Sequence, residues 1–493
     1  MKKILTILFG TVALLYSTAM ASTILPADVN GDGKVSNDDA TLIYAYICGT
    51  AIDTITTDMV DVNGDGKVNT ADVVEVYLNS IPYLTFTADK EQAMTITLKG
   101  SYILDESLQY SVKGGPWTQL TASKPIYFGG ENGTLRLRGK SATGTAATIS
   151  KYALISFNNK TVSVACSGDI RTLVNYSNYA SADTDEALFC YLFSGCTNLT
   201  SAPQLPSKSL ADKCYYGMFY GCAGLSDAPE LPATSAKASC YYSMFYGCTS
   251  LTTTPALPAD TLADLCYTNM FYGCTKLTSA PTLPANTLAK SCYANMFYGC
   301  TALTTPPKLP ADSLAPNCYE KMFYGCSSLD IAPELPANSL AEKCYYYMFR
   351  DCTSLTDAPE LPATTLAKSC YEYMFYGCIN LGNVPSLSAS ILAERCCFGM
   401  FFGCTSLTTT PVLPAATLAK SCYNSMFRGC TNLNSVTMLA TDITASGCLT
   451  NWLDRVASTG TFTKSAYIDE TAFTRDKNGI PQGWTIVSHE IAE

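Results

Sequence analysis

Cysteine returns at a strict interval of 26 residues from Cys196 to Cys430, ten times without a slip. A second series with the same period runs from Cys214 to Cys448. A fixed period in this range means one supersecondary unit stacked on copies of itself, each burying its apolar face on its neighbours. The stretch 177–439 is therefore expected to be a solenoid of ten units.

One unit, Leu262 to Thr287, reads LADLCYTNMFYGCTKLTSAPTLPANT. Leu262, Cys266, Met270 and Cys274 recur at every fourth position, flanked by Ala263, Tyr267 and Phe271. Read as rows on one helix face, they predict about three helical turns from Leu262 to Gly273. Leu277 and Leu283 bracket an extended stretch. Pro281 and Pro284 cannot donate to a ladder, so strands there should be short. Helix plus short strand predicts an α/β solenoid. Tyr220, Tyr246, Tyr272, Tyr298, Tyr324 and Tyr376 also recur. They are expected to pack between units, or else to form an aromatic row for a sugar or protein ligand.

Twenty-four cysteines raise the question of disulfides. Pairing within units leaves Cys196 and Cys448 unmatched, whereas cross-unit pairs from Cys196–Cys214 to Cys430–Cys448 use all twenty cysteines of the two series. Eight helical residues span about 12 Å, and a disulfide needs Cα atoms within about 7 Å. Stacked thiols acting as small hydrophobes are the expectation. The cross-unit series is the alternative.

Residues 1–21 run from a Met-Lys-Lys start through an apolar stretch to Ala19-Met20-Ala21, the order of a secretory signal. No later stretch is apolar enough to span a membrane, so a secreted or surface location is expected. A net charge of −10 argues against nucleic acid as a partner. The single histidine, His489, disfavours zinc sites and Ser-His-Asp triads.

Behind the signal, the octapeptide DVNGDGKV occurs twice, beginning at Asp28 and Asp61. Each copy opens a twelve-residue loop with oxygen ligands at the positions calcium needs. The first loop offers Asp28, Asn30, Asp32, the Lys34 carbonyl, Ser36 and Asp39, with Gly33 at the sharp turn. The second offers Asp61, Asn63, Asp65, Lys67, Asn69 and Asp72, with Gly66 at the turn. Two calcium ions are expected. Leu42, Ile43, Tyr46 and Ile47 predict the apolar face of a helix leaving the first loop, and Val74, Tyr77, Leu78 and Ile81 that of a helix leaving the second.

Between residues 83 and 176 short runs such as LTFTA, MTITLKG and TLRLRG alternate polar and apolar residues between turn signals, which predicts an antiparallel β-sandwich. Trp117 is expected in its core. Residues 440–493, with Trp452 and Trp484, are expected to cap the last coil. The fold class is thus multidomain: a small α calcium-binding module (22–82), an all-β sandwich and an α/β solenoid of 26-residue repeats with a cap.

The paired loop-helix unit with Asp at position 12 resembles a type I dockerin. The MFYGC-x-x-L-T motif with its downstream Leu-Pro is similar to the BspA-like leucine-rich repeat. The first resemblance implies docking to a cohesin-type domain, read by loop positions 10 and 11. Here these are Asn37 and Asp38, then Thr70 and Ala71, where the family often has Ser/Thr pairs. The second implies a bacterial surface protein adhering to host or bacterial surface proteins or to glycans. Together they imply a secreted, non-catalytic adhesion protein. The alternative is a dockerin-tethered enzyme or accessory of polysaccharide degradation. A uniform repeat argues against catalysis, since a glycosidase needs one carboxylate pair at about 5–10 Å.

Overall fold

The structure is a computed structural model describing residues 27–32, 34–50, 55–62, 65–182, 184, 188–476 and 478–489. The signal sequence expected over 1–21 lies outside the described residues. The chain forms two compact units, Met1–Pro82 and Tyr83–Glu493.

In the first unit, α1 (Asn37–Ile47) and α3 (Thr70–Ser80) pack together with the short α2 (Thr57–Val60) between them in sequence. Ile43 and Val76 are fully buried beside Val29 and Val60. Ile43 and Val76 are 33 residues apart, as are the two octapeptides, so the internal repeat is also a repeat of packing. The face expected on the second helix is met only in part: Ile81 is buried. Val74 and Tyr77 are exposed, and Val73 and Val76 turn to the core. Valines at 73, 74 and 76 leave the face ambiguous until α1 fixes it.

The second unit opens with two sheets. One has the order β10-β9-β1-β6-β3-β4 and the other β5-β2-β8-β7. The strands are β1 (Leu84–Thr87), β2 (Gln92–Lys99), β3 (Gln109–Val112), β4 (Thr118–Gln119), β5 (Ile126–Phe128), β6 (Leu135–Arg138), β7 (Ala146–Thr148), β8 (Lys151–Phe157), β9 (Val164–Ser167) and β10 (Leu199–Ser201). All pairs are antiparallel except β9 with β10. Their apolar faces meet through Phe86, Phe128 and Phe157, with ring centroids 5.5–6.5 Å apart. Strand β10 belongs to the first coil of the repeat, so its pairing with β9 joins sheet and solenoid edge to edge. Phe86 also touches Phe193 of that coil, and one buried cluster runs from Leu84 to Trp484.

The repeat is a β-solenoid of about ten coils with no helix in its coils among the described residues. This corrects the α/β expectation. The helix expected over Leu262–Gly273 is a staircase of four-residue turns. Thr268, Met270, Tyr272 and Cys274 each donate to the carbonyl three residues back, at 3.1–3.3 Å. The alternate residues Leu265, Tyr267, Asn269, Phe271 and Gly273 donate instead to the next coil, at 2.7–3.0 Å. Leu265, Asn269 and Gly273 hold φ of +61°, +57° and +70°, which a right-handed helix forbids and alternate type II turns require. Each coil thus bonds its neighbour along this side through backbone alone. On other sides short parallel pairs tie residues 26 apart, as in β11 (Ser235–Ala236) with β12 (Thr261–Leu262). The last coils lengthen into a parallel sheet of β13 (Ser435–Met438), β14 (Gly460–Lys464) and β15 (Trp484–Ser488). There the indole N–H of Trp452 donates to Gly479 and that of Trp484 to Ala457, at 2.9 and 2.7 Å.

Candidate functional site

The first loop folds onto its own backbone. Asp28 Oδ1 accepts from the Gly31 and Asp32 amides, Asn30 Oδ1 from Asp32, and Asp32 Oδ1 from Lys34, at 2.8–3.1 Å. Ser36 caps α1 by accepting from the Asp38 amide, and Asp39 returns the bond by accepting from the Ser36 amide at 2.8 Å. Asp39 is fully buried, and its other oxygen accepts from the Asn30 amide at 3.0 Å. Position 12 is thereby tied to position 3, and the loop is closed.

The second loop folds on itself in a similar way, with its first aspartate bonded one position further along. Asp61 accepts from the Asp65 and Gly66 amides, Asp65 from Lys67, and Asn69 from Ala71, at 2.8–3.1 Å. Asp72, also fully buried, accepts from the Asn69 amide at 2.8 Å and completes the cap of α3. Asn63, like Gly33, lies outside the described residues.

Among the described residues no three carboxylate, thiol or imidazole side chains converge on one point. The donor set nonetheless fits a hard cation. All of its members are oxygens, and it mixes carboxylate, amide, hydroxyl and carbonyl groups on a tight turn. Burying Asp39 and Asp72 costs free energy unless charge or hydrogen bonds compensate, and calcium would add to the amides already present. The residues at loop positions 10 and 11 open the two helices: Asn37 and Asp38 on α1, Thr70 and Ala71 on α3. Asp38, Thr70 and Ala71 are exposed.

The solenoid sorts its recurring side chains into columns. Tyr215, Tyr241, Tyr267, Tyr293, Tyr319, Tyr345 and Tyr371 are buried and stack at 5.4–6.0 Å. Tyr220, Tyr246, Tyr272, Tyr298 and Tyr324 form a second column at the surface, tighter at 4.3–4.5 Å. The tyrosines expected to pack between units thus do so, and their column also lies at the surface. Arg350 takes the place of tyrosine in the surface column, and its guanidinium lies 5.1 Å from Tyr324 and 4.3 Å from Tyr376. Asp351, its ion-pair partner at 3.2 Å, occupies a left-handed position where the neighbouring coils carry Gly325 and Gly377. Sequence reading did not single out this interruption, although the break in the Tyr-Gly pattern is visible. Elsewhere the paired prolines line shallow grooves, such as that of Pro203, Leu205, Pro206, Pro229 and Pro232 with Glu230 at its rim.

All 24 cysteines are free thiols, and all but Cys48 are buried. Burial pushes Cys222, Cys248 and Cys274 well above the ordinary thiol range. No helix among the described residues is long and apolar enough to cross a membrane.

The family described as the BspA type leucine rich repeat region matches in six copies within residues 174–304, 240–381 and 342–478. The chain belongs to the BspA-type leucine-rich-repeat proteins. At its amino end it carries a type I dockerin domain, matched over residues 26–78, a calcium-binding module of the kind that binds cohesins. A solved leucine rich cell surface protein from Faecalibacterium prausnitzii aligns over 58% of this chain and 90% of its own, at 14% identity. Its TM-score of 0.26 is too loose to bear on this chain. No curated protein matches.

Proposed function

We propose that this protein is an exported, non-catalytic adhesion protein held in place by its dockerin. Two calcium ions, one in each loop, set Asp38, Thr70, Ala71 and Asn37 for a cohesin-type partner. Asp28, Asn30, Asp32, the Lys34 carbonyl, Ser36 and Asp39 hold the first ion. Asp61, Asn63, Asp65, the Lys67 carbonyl, Asn69 and Asp72 hold the second. The solenoid meets a surface protein or glycan. One observation carries the reading: a type I dockerin precedes a repeat whose exposed side chains recur every 26 residues. Such a surface offers many similar contacts and no singular chemistry.

The half-exposed tyrosine column favours glycan as a second ligand class, as in an accessory of polysaccharide degradation. Glu230, Glu334 and Glu360 are exposed, one to a coil, and read as solvated rim charges.

The test is retention of the full chain on immobilised cohesin domains, with calcium and with chelator. Retention only with calcium, lost in Asp32→Ala/Asp65→Ala, is expected. Retention that ignores both chelator and the double substitution would remove the docking reading.

A further inference from the structure

Strand β6 carries two cations on the face of its sheet that points away from the core, and a third follows it. Leu135 and Leu137 are buried, so Arg136 and Arg138 turn outward, and Lys140 follows beyond the strand end. Residues two apart on a strand are about 6.6–6.8 Å apart, which sets the charges in a line. The Arg138 guanidinium is sandwiched between two rings, 4.1 Å from Trp117 and 4.2 Å from Tyr176. Lys140 Nζ also lies over Tyr176, at 5.4 Å. Arg138 Nε donates to Gln109 Oε1 at 2.9 Å, which fixes the plane of the guanidinium. Trp117 is accordingly half-exposed rather than in the core, a correction to the sequence expectation.

Among the described residues none of Arg136, Arg138 and Lys140 has an ion-pair partner. Three such cations within five residues are out of keeping with a chain of net charge −10. An arginine clamped between rings cannot swing out to find a carboxylate in its own chain. Its faces are taken by the rings, its Nε by Gln109 and a further N–H by the Tyr83 hydroxyl, and the N–H groups left over are fixed in place to donate to a carboxylate from outside. Around the cations stand uncharged polar groups: Thr85 on β1 opposite Arg136, and Gln119 on β4 beside Gln109.

We propose that this face binds a glycan bearing carboxylate groups, a polyuronate, with Arg138 and its flanking rings as the anchor and Arg136 and Lys140 engaging neighbouring acidic sugars. A linear polyanion matches a line of cations, and sugar hydroxyls match the hydroxyl and amide neighbours. An acidic peptide fits less well. It would add along a free sheet edge, and the edge here is the two-residue β4. The site is in the second unit and owes nothing to the dockerin or to the solenoid's ligand.

The experiment measures binding of the full chain to polygalacturonate, dextran and poly-L-glutamate. Chelator is present throughout, so that calcium cannot bridge polymer and acidic loops. Polygalacturonate should bind, weakening with salt, and should bind at least about tenfold more tightly than either other polymer. Arg136→Gln/Lys140→Gln should lower the affinity by about tenfold or more with an unchanged unfolding midpoint, and Arg138→Lys, which keeps the charge and loses the fork, by a similar factor. Equal binding of dextran or poly-L-glutamate, no binding of polygalacturonate, or unchanged affinity in the well-folded double variant would each overturn the proposal.

Discussion

The thiol of Cys274 donates to the main-chain carbonyl of Phe245, 3.2 Å away and 29 residues earlier. The same carbonyl already takes the amide of Cys248 at 3.1 Å, so the sulfur fills its second lone pair. The contact recurs from Cys222 on Phe193 to Cys430 on Phe401, at 3.0–3.2 Å. A small apolar side chain with a weak donor suits a site buried among stacked phenylalanines. Oxidation would remove the donor. The denatured, unreduced protein should therefore alkylate with iodoacetamide at close to all 24 cysteines, and the native protein at few. Near-zero alkylation after denaturation would replace the thiol ladder by disulfides.

Those thiols also make stability depend on pH. Burial raises Cys300 to about 12 and Cys222 and Cys352 well beyond the ordinary range. A raised folded pKa means that the native state holds its proton where the unfolded chain, near 8.5, releases it. The contribution is complete below the unfolded pKa and falls as pH rises above it, by about 1.4 kcal/mol per pH unit for each such thiol. With a thiol column at the core, urea midpoints should be flat from pH 6 to 8 and drop steeply between 9 and 11. A flat profile to pH 11 would contradict the buried ladder.

The turn staircase makes a prediction of opposite sign to a helix. Asn269 sits at φ +57°. Left-handed backbone costs a residue with a Cβ about 1–2 kcal/mol and costs glycine little, whereas inside a helix glycine is worse than alanine by about 1 kcal/mol. Asn269→Gly should therefore be more stable than Asn269→Ala by about 1 kcal/mol in chemical unfolding. The reverse order would restore the helix.

The period of the solenoid, the calcium-type loops and the two helices behind them were legible because each is local. The coil conformation was legible only in part. Leu262, Cys266, Met270 and Cys274 keep an interval of four, and so do Ala263, Tyr267 and Phe271. At 3.6 residues per turn such a row drifts by about 40° per step, and two rows that never drop back to a three-residue step describe a period of 4.0. That signal, with Asn269 and Gly273 at the same interval, separates a turn staircase from a helix. Other features were beyond reach because they depend on distant partners. Nothing local indicates that Val164 pairs with Leu199, or that Tyr176 arrives to pin Arg138 against Trp117.

Calcium dependence can be read separately in the two units of the full chain. The longest described helices, α1 and α3 at 11 residues each, are in the first unit, and α4 (Arg171–Asn175) of the second has only five. The three tryptophans, Trp117, Trp452 and Trp484, all belong to the second unit. The helical signal at 222 nm thus reports the dockerin, and tryptophan fluorescence reports the sheets and solenoid. Without calcium, the buried carboxylates of Asp39 and Asp72 lack the cation that would offset their charge, and a site built from loops has little apo stability. Chelator should diminish the helical signal and leave fluorescence unchanged, and titration back should saturate at two ions per chain. Asp39→Ala should lower the affinity of the first site by more than about tenfold while the second still binds, because the aspartate at position 12 of each loop bonds within its own loop. Loss of fluorescence together with helicity would mean that the two units fold as one. A helical signal indifferent to chelator would mean that the amide bonds to Asp39 and Asp72 suffice without metal.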